Sequence, residues 1–315
     1  MRTVYLILNP GSNGGRSAEK FTEIINTFTC NGFSCETAVT RFLDEAYHLT
    51  TEACRKNYDF IVAVGGDGTI NRVLNGLYAA DGTLRSESSF GVIHTGTSPD
   101  FCKSYGIPTD FRQARNAVIS GKVKSVPVGM VRFENKIFGN RTAFFCCCAN
   151  IGLGAQLAKT ANSGIRSIVG DGVGTFLSLL RVLLQYRAIR LSVTIDGVER
   201  IIDKVQNVSI GKTTNIASGI KVTHELTDND DRLYSLAVHH LQLTTLPKCL
   251  ISLYSGRKIR NSSIFNFKYG SEFYLHAFGK RVTVEFDGDP AGYLPCTITT
   301  APQRLPLIFG GSHAQ

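Results

Sequence analysis

Residues 61–76 read IVAVGGDGTINRVLNG. Four apolar residues run straight into Gly65-Gly66-Asp67-Gly68-Thr69, after which Ile70, Val73, Leu74 and Leu77 recur at helical spacing. A short, uniformly apolar run is the signature of a strand covered on both faces, and a glycine turn leading into a helix makes it half of a βαβ unit. The spacing predicts that helix over 69–79. The same rhythm extends outward. VYLIL (4–8) reads as a buried strand, followed by a glycine-rich loop at 9–15 and a helical stretch from Ser17 to about Thr29 with Phe21, Ile24, Ile25 and Phe28 on one face. SCETAVT (34–40) is a short strand, 43–56 a helix, and SFGVIHTG (89–96) another strand entering a turn. This alternation predicts an α/β N-terminal domain, doubly wound on a mostly parallel sheet.

After Gly121 the rhythm changes. VPVGMVRF, RTAFFCCCANIG, IRLSVTIDGV, KVQNVSIG, RLYSLAVHHL, SEFYLHAF and RVTVEFDGD alternate or carry β-branched residues between Gly, Asn and Asp turns. IDGV (195–198) holds an Asp-Gly hairpin signal. This second portion predicts a mostly antiparallel β-sandwich C-terminal domain, interrupted by one helix over roughly 173–187. The domains are expected at 1–123 and 124–299, with 300–315 completing the first or pairing onto the second through QRLPLIFG (303–310).

The chain has 315 residues, enough for two cores, with 43% hydrophobic and 19% charged residues, as in ordinary soluble proteins. No run reaches the ~20 apolar residues that span a bilayer, and MRTVYLILNP lacks the features of a signal peptide. Nine cysteines without regular spacing, three of them consecutive at Cys146–Cys148, read as reduced apolar side chains in a cytosolic protein. The net charge of +9 favours an anionic partner. No basic block interleaved with aromatics points to nucleic acid.

Ligands of an open parallel sheet sit at the carboxyl ends of its strands. NPGSNGG (9–15), GGDGT (65–69) and GTSPD (96–100) all fall there. Glycine lets backbone N–H groups approach a phosphate, and a helix N-terminus adds its positive end. A tight βα turn uses glycine for steric reasons as well, but three such loops favour phosphate binding. Asp67 is the sharper feature. A carboxylate among phosphate-binding amides suits a site where a cation or a hydroxyl proton meets phosphate; the bland reading is a helix cap.

GGDGTINRVLNGL resembles the GGDGT-x-N-E-V-x-N-G signature of the diacylglycerol kinase catalytic-domain family, bacterial soluble lipid kinases related to sphingosine and ceramide kinases. NPGSNGG is similar to the family's Asn-Pro-x-Ser-Gly loop, GTSPDFCKSYGIP to GT-x-N-D-F-A-R-x-L-G-I-P, and VEFDGDPAG to V-x-x-DGE-x-x-G. NAD kinases share GGDGT, but their Gly-Ser-Thr-Ala-Tyr segment is not found here. The resemblance implies that Asn9, Pro10, Gly11, Ser12, Asn13, Thr40, Gly66, Asp67, Gly68, Thr69, Ile70, Asn71, Arg72 and Thr97 line an ATP site. It puts Asp289 in the place of the family's general base, a Glu, with Asp67 as the second catalytic carboxylate. It also aligns LTDNDDRL (226–233) with the loop that holds a structural Mg²⁺, giving Asp230 as ligand and Thr227 and Arg232 as carbonyl donors; the same stretch also reads as a solvated acidic turn.

Four positions depart from the pattern: Arg72 for Glu, Pro99 for Asn, Gly154 for Asp, and Asp231 for Gly. The expected function is transfer of the γ-phosphate of ATP to a hydroxyl of a diacylglycerol-like lipid, in phospholipid metabolism. The enzyme is expected in the cytoplasm, docking transiently on anionic membrane, with a homodimer left open. The departures keep a second reading alive: a member that acts on a soluble hydroxyl acceptor, or only binds nucleotide or lipid. Residues 173–190, with Phe176, Leu177, Leu180, Leu183 and Leu184, form a stripe for core packing, a tail pocket or a membrane contact.

Overall fold

The structure, a computed structural model, describes residues 1–134, 141–145, 147–153, 186–216, 220–242, 244–279, 281–286 and 289–310. The chain divides into two compact units, Met1–Val128 with Ala301 onward, and Gly129–Thr300.

The strands of the first unit are β1 (Thr3–Leu8), β2 (Ser34–Val39), β3 (Phe60–Gly65), β4 (Ser89–His94), β5 (Val123–Val126) and, from the far end of the sequence, β19 (Leu305–Ile308). They form one sheet in the order β2-β1-β3-β4-β19-β5. The first four are mutually parallel; β19 lies parallel to β4 and antiparallel to β5. QRLPLIFG therefore belongs to the first sheet, where Leu305, Leu307 and Ile308 are buried. Central β3 is buried at every residue, as its uniform apolar run requires, whereas β2 at the sheet edge keeps Ser34, Glu36 and Thr37 exposed.

Helices α1 (Phe21–Cys30), α2 (Glu45–Arg55), α3 (Asp67–Leu77), α4 (Asp100–Tyr105) and α5 (Phe111–Ser120) flank the sheet. Ile24 and Phe28 of α1, with Ala114 and Val118 of α5, pack on Val4, Leu6, Leu8, Val62 and Val64. The helical stretch predicted from Ser17 resolves into a short 3-10 turn at Ala18–Lys20 before α1 begins. Helix α3 starts and ends two residues earlier than its apolar spacing predicts. Apolar spacing does not reveal α4 and α5. The first is six residues long, and the second is defined by its ends: the Asp110 side chain accepts from Gln113 N at 2.9 Å, and Gly121 closes it at φ 63°.

The second unit contains β6 (Gly129–Phe133), β7 (Arg141–Phe145), β8 (Cys148–Gly152), β9 (Ile189–Ile195), β10 (Val198–Gly211), β11 (Asn215–Ile216), β12 (Ile220–Lys221), β13 (Leu233–His239), β14 (Phe265–Gly270), β15 (Phe273–Ala277), β16 (Thr283–Phe286), β17 (Asp289–Tyr293) and β18 (Cys296–Thr300). The helix Leu246–Tyr254 follows β13. Among the described residues, eleven of these strands join in an antiparallel sheet whose main path runs β17-β16-β8-β10-β9-β15-β18-β6-β7, with β13 pairing to β10 and β14. Asp196 (φ 48°) and Gly197 (φ 82°) make the predicted two-residue hairpin turn between β9 and β10. Alternating inward residues such as Val131, Leu191, Val193, Val208, Ile210, Phe273 and Ile298 fill a continuous core. Residues 173–185 of the helix predicted over 173–187, with Gly154 and Cys146, lie outside the described residues, and the two described residues of that span, 186–187, are not helical.

Candidate active site at the carboxyl ends of the first sheet

From β1 the chain passes to β2 on one side and, through α2, to β3 on the other. The strand order thus reverses between β1 and β3, where open α/β sheets bind ligands. Register brings the loops level. Leu8 pairs with Val39 and with Val64, and Gly65 pairs with His94. Thr40, Asn9, Gly66 and Thr95, each just past the end of its strand, therefore stand in one row.

Hydrogen bonds lace this row together. Asn9 donates its backbone N–H to Val64 O at 3.0 Å and its Nδ2 to Thr69 Oγ1 at 2.7 Å, while its Oδ1 accepts from Gly11 N at 3.0 Å. One asparagine thereby shapes the first glycine loop and ties it to the start of α3. Thr95 N donates to Gly65 O at 2.9 Å, and the Thr95 hydroxyl lies 2.8 Å from Ser17 Oγ and 3.4 Å from Ser12 Oγ. Two glycines make the approach possible. A Cβ on Gly96 would lie 2.6 Å from Gly66 Cα, and one on Gly65 would lie 2.4 Å from Thr69 Oγ1. Beyond Ser12 the backbone turns left-handed at Asn13 (φ 53°) and Gly14 (φ 65°).

Helix α3 opens on Gly66 in extended conformation, and no side chain caps it. Asp67 is therefore not the helix cap; it is the first helical residue. Its Oδ1 is buried with no hydrogen-bond partner, as is His94 Nε2, and the two atoms are 3.6 Å apart. A buried carboxylate oxygen without a donor is an unusual state, which a proton or cation relieves. Burial, and secondarily the charge of Asp67, push the neighbouring Cys102 thiol well above its ordinary range, so it stays a neutral apolar wall.

The remaining first-unit residues fall around this centre. Thr69, Ile70 and Asn71 are buried in the first turns of α3, and Thr97 is exposed on the loop after β4. Thr40 is buried, donating through its N–H to Leu8 O at 2.9 Å and through its hydroxyl to the same carbonyl at 3.4 Å. Arg72, the cation in place of an acid, donates through Nε to Asp44 Oδ1 at 2.6 Å, so it joins α3 to the residue preceding α2. Pro99 precedes α4, whose first residue, Asp100, is buried. His94, Thr95 and Ser17 escaped the sequence reading. Each becomes significant only through its register partner or loop neighbour, which spacing along one strand does not reveal.

Asp289 begins β17, paired with Phe286 through the backbone, and its side chain lies outside the described residues. The acidic loop before β13 is fully described. Arg232 clasps Asp230 in a fork: Nε to Oδ1 at 3.1 Å, Nη2 to Oδ2 at 2.7 Å, and the Arg232 N–H to Oδ1 at 2.9 Å. The hydrogen bonds from Arg232 hold the Asp230 carboxyl down to about 2. The two carbonyls expected as metal donors are also engaged: Thr227 O accepts from Asp230 N at 3.1 Å and Arg232 O from the Lys212 ammonium at 3.2 Å. The loop as built does not fit a divalent cation. A guanidinium and an ammonium already supply the positive charge, and no His/Cys/Asp/Glu cluster suited to a metal occurs among the described residues.

Comparison with known proteins agrees with this architecture. The diacylglycerol kinase catalytic domain matches residues 3–131, and the YegS C-terminal NAD kinase beta sandwich-like domain matches 149–309. A diacylglycerol kinase of Bacillus subtilis (strain 168) is 24% identical over 316 residues, covering 100% of this chain and 99% of its own length. A diacylglycerol kinase of Staphylococcus saprophyticus is 24% identical over 309 residues, with 96% and 94% covered. A crystal structure of a diacylglycerol kinase from Bacillus anthracis str. Sterne shares the fold at TM-score 0.70 and 19% identity, covering 98% of this chain and 97% of its own. A yeast NADH kinase complexed with NADH is more distant, at TM-score 0.54 and 11% identity over 98% of this chain and 83% of its own.

Proposed function

This chain belongs to the diacylglycerol kinase catalytic-domain family, and on that footing we propose that it is an ATP-dependent kinase that phosphorylates the hydroxyl of a diacylglycerol-like lipid. The observation that carries the reading is the buried, unpartnered Oδ1 of Asp67, set at the head of α3 where three glycine loops converge. Backbone amides of residues 11–15 and 66–69, with the positive end of α3, suit the phosphates of MgATP as substrate. Mg²⁺ arriving with the nucleotide neutralises phosphate charge as the γ-phosphoryl group transfers.

The protein's own part is positioning and proton transfer. The acceptor hydroxyl oxygen bonds to the γ-phosphorus while its proton passes to a carboxylate. The bond between that phosphorus and the bridging oxygen breaks, and the electron pair leaves with ADP. Asp289 is the base that the resemblance implies, and Asp67 is the carboxylate that the geometry of the first unit offers. Asn9 holds Thr69 and the first loop in register, and the Arg72–Asp44 pair fixes α3 against the start of α2, so Arg72 serves as a clamp.

The reading places the enzyme in the cytoplasm, in phospholipid synthesis, in passing contact with anionic membrane. No helix among the described residues is long and apolar enough to cross a bilayer. The test is ATP consumption with Mg²⁺ in the presence and absence of mixed micelles of diacylglycerol. Lipid-dependent turnover that disappears in Asp67→Asn supports the reading, and an Asp289→Asn variant that keeps ATP affinity but not turnover assigns the base. ATP binding with no turnover on any lipid would move the weight to a soluble acceptor or a binding role.

A further inference from the structure

The helix Leu246–Tyr254 is apolar on two sides. Leu246, Cys249 and Leu253 make one stripe, all buried. On the opposite side Pro247, Ile251 and Tyr254 recur at i, i+4 and i+7, so they share a second stripe. That stripe meets water: Ile251 is 68% exposed and Tyr254 49%. Two large apolar side chains on one outward helix face constitute a patch, unlike scattered single exposures.

Cations cluster on and just after this helix. Lys248 stands on the helix itself, and Arg257, Lys258 and Arg260 follow within six residues of its end. Lys221 of β12 runs alongside, its Cδ 3.2 Å from where a Cβ on Gly256 would lie, and Thr223 Oγ1 holds the same turn by donating to Gly256 O at 2.7 Å. Lys258 pairs with Glu225. Lys221, Lys248, Arg257 and Arg260 make no ion pair among the described residues.

We propose that this face docks on an anionic lipid bilayer. An aliphatic residue enters the acyl boundary, a tyrosine sits at headgroup level, and surrounding cations meet anionic headgroups. The alternatives match less of the patch. Nucleic acid would neutralise the cations and leave Ile251 in water, and a second copy of the chain would bring like charges together. The inference leans on the lipid-kinase reading for its purpose alone, because an enzyme that phosphorylates a lipid must reach a bilayer. Docking is measured without nucleotide, so its failure and the failure of phosphotransfer are separable.

The experiment is co-sedimentation of the full chain with vesicles of phosphatidylcholine alone or mixed with phosphatidylglycerol. The wild-type chain should partition onto the mixed vesicles and leave them as salt rises. Each cation near a charged surface is worth about fivefold in partitioning, so Arg257→Gln with Arg260→Gln should lower it by about 25-fold. Ile251→Asp should abolish it, with melting temperature unchanged because the side chain faces water. The control pair Arg112→Gln and Lys122→Gln, exposed in the other unit, should reduce partitioning by less than these. Equal binding to neutral and anionic vesicles, or equal loss in the control pair, would overturn the proposal. So would a concentration-dependent dimer that Ile251→Asp dissociates while vesicle binding is absent.

Discussion

Motifs single out Asp67 and Asp230 in the sequence, and the fold leaves them in opposite hydrogen-bonding states. Asp67 presents a buried oxygen that nothing donates to, beside a histidine nitrogen equally unpartnered. Asp230 has both oxygens taken by the guanidinium two residues on, and its pKa lies at about 2. Both occupy positions where a motif suggests charge chemistry. What separates them is whether the chain itself has already supplied the compensating cation. An acid that its own neighbours neutralise is a structural brace; one whose buried oxygen accepts no hydrogen bond is poised for a ligand.

The largest effect that would break this contrast is at Asp67. Asp67→Asn keeps the shape of the side chain, so folding should survive while turnover falls by about 10² to 10⁴, the range lost with a positioned proton acceptor. Steady-state rates with lipid micelles, set beside a melting curve, check both halves. Wild-type turnover in this variant would make the bare carboxylate a bystander. Next comes the backbone approach that creates the pocket. Gly96→Val drives a side chain into Gly66, whose Cα lies 2.6 Å from the added Cβ position, so the loops must separate. A stability loss of about 1–3 kcal/mol is expected from such overpacking. Urea denaturation reads it, and an unchanged midpoint would show that the loops move apart freely.

How much of this was visible beforehand differs between the two places as well. The run IVAV before GGDGT fixed a buried parallel strand, since only a strand covered on both faces is apolar throughout. Loops at strand ends then had to share one edge of the sheet. What stayed hidden was which loop lies beside which. Strand order places β1 between β2 and β3, and only that order brings Asn9 to Thr69 and Thr95 to Ser17. His94 was illegible for the same reason: as the last residue of an apolar strand it resembles core, and its partner Asp67 arrives from another loop. The closing strand β19 was recognisable as a strand, but its sheet was not, because four apolar-rich residues fit either core. At Asp230 the motif gave the acid and the turn but not the fork, because an Arg two residues from an Asp commonly points to water. Arg72 departs from the motif among the candidate phosphate-binding residues; its pairing with Asp44 depends on the packing of α3 against α2, which no local spacing encodes.

The smallest effect sharpens the contrast from the other side. The Asp230–Arg232 pair is partly exposed, with Arg232 55% accessible at the side chain. Arg232→Gln should therefore have little effect on stability at neutral pH, since water screens an exposed pair. Its pH dependence is more telling than its size. The folded pKa of about 2 lies below the ordinary 3.8, so the pair stabilises fully above about pH 4, fades as pH falls toward 2, and contributes nothing below. Stability measured across that interval should decline less steeply in Arg232→Gln than in the wild type. The same variant releases Asp230 Oδ2 while the backbone N–H of residue 232 still donates to Oδ1 and Lys212 stays in place. If the guanidinium occupies the position of a cation, wild-type melting should be the same in Mg²⁺ and in chelator, and Mg²⁺ should raise the melting temperature of the variant alone. A Mg²⁺-dependent shift in the wild-type loop would mean that the fork opens to admit the ion, and Asp230 would then stand beside Asp67 as a second carboxylate waiting for charge.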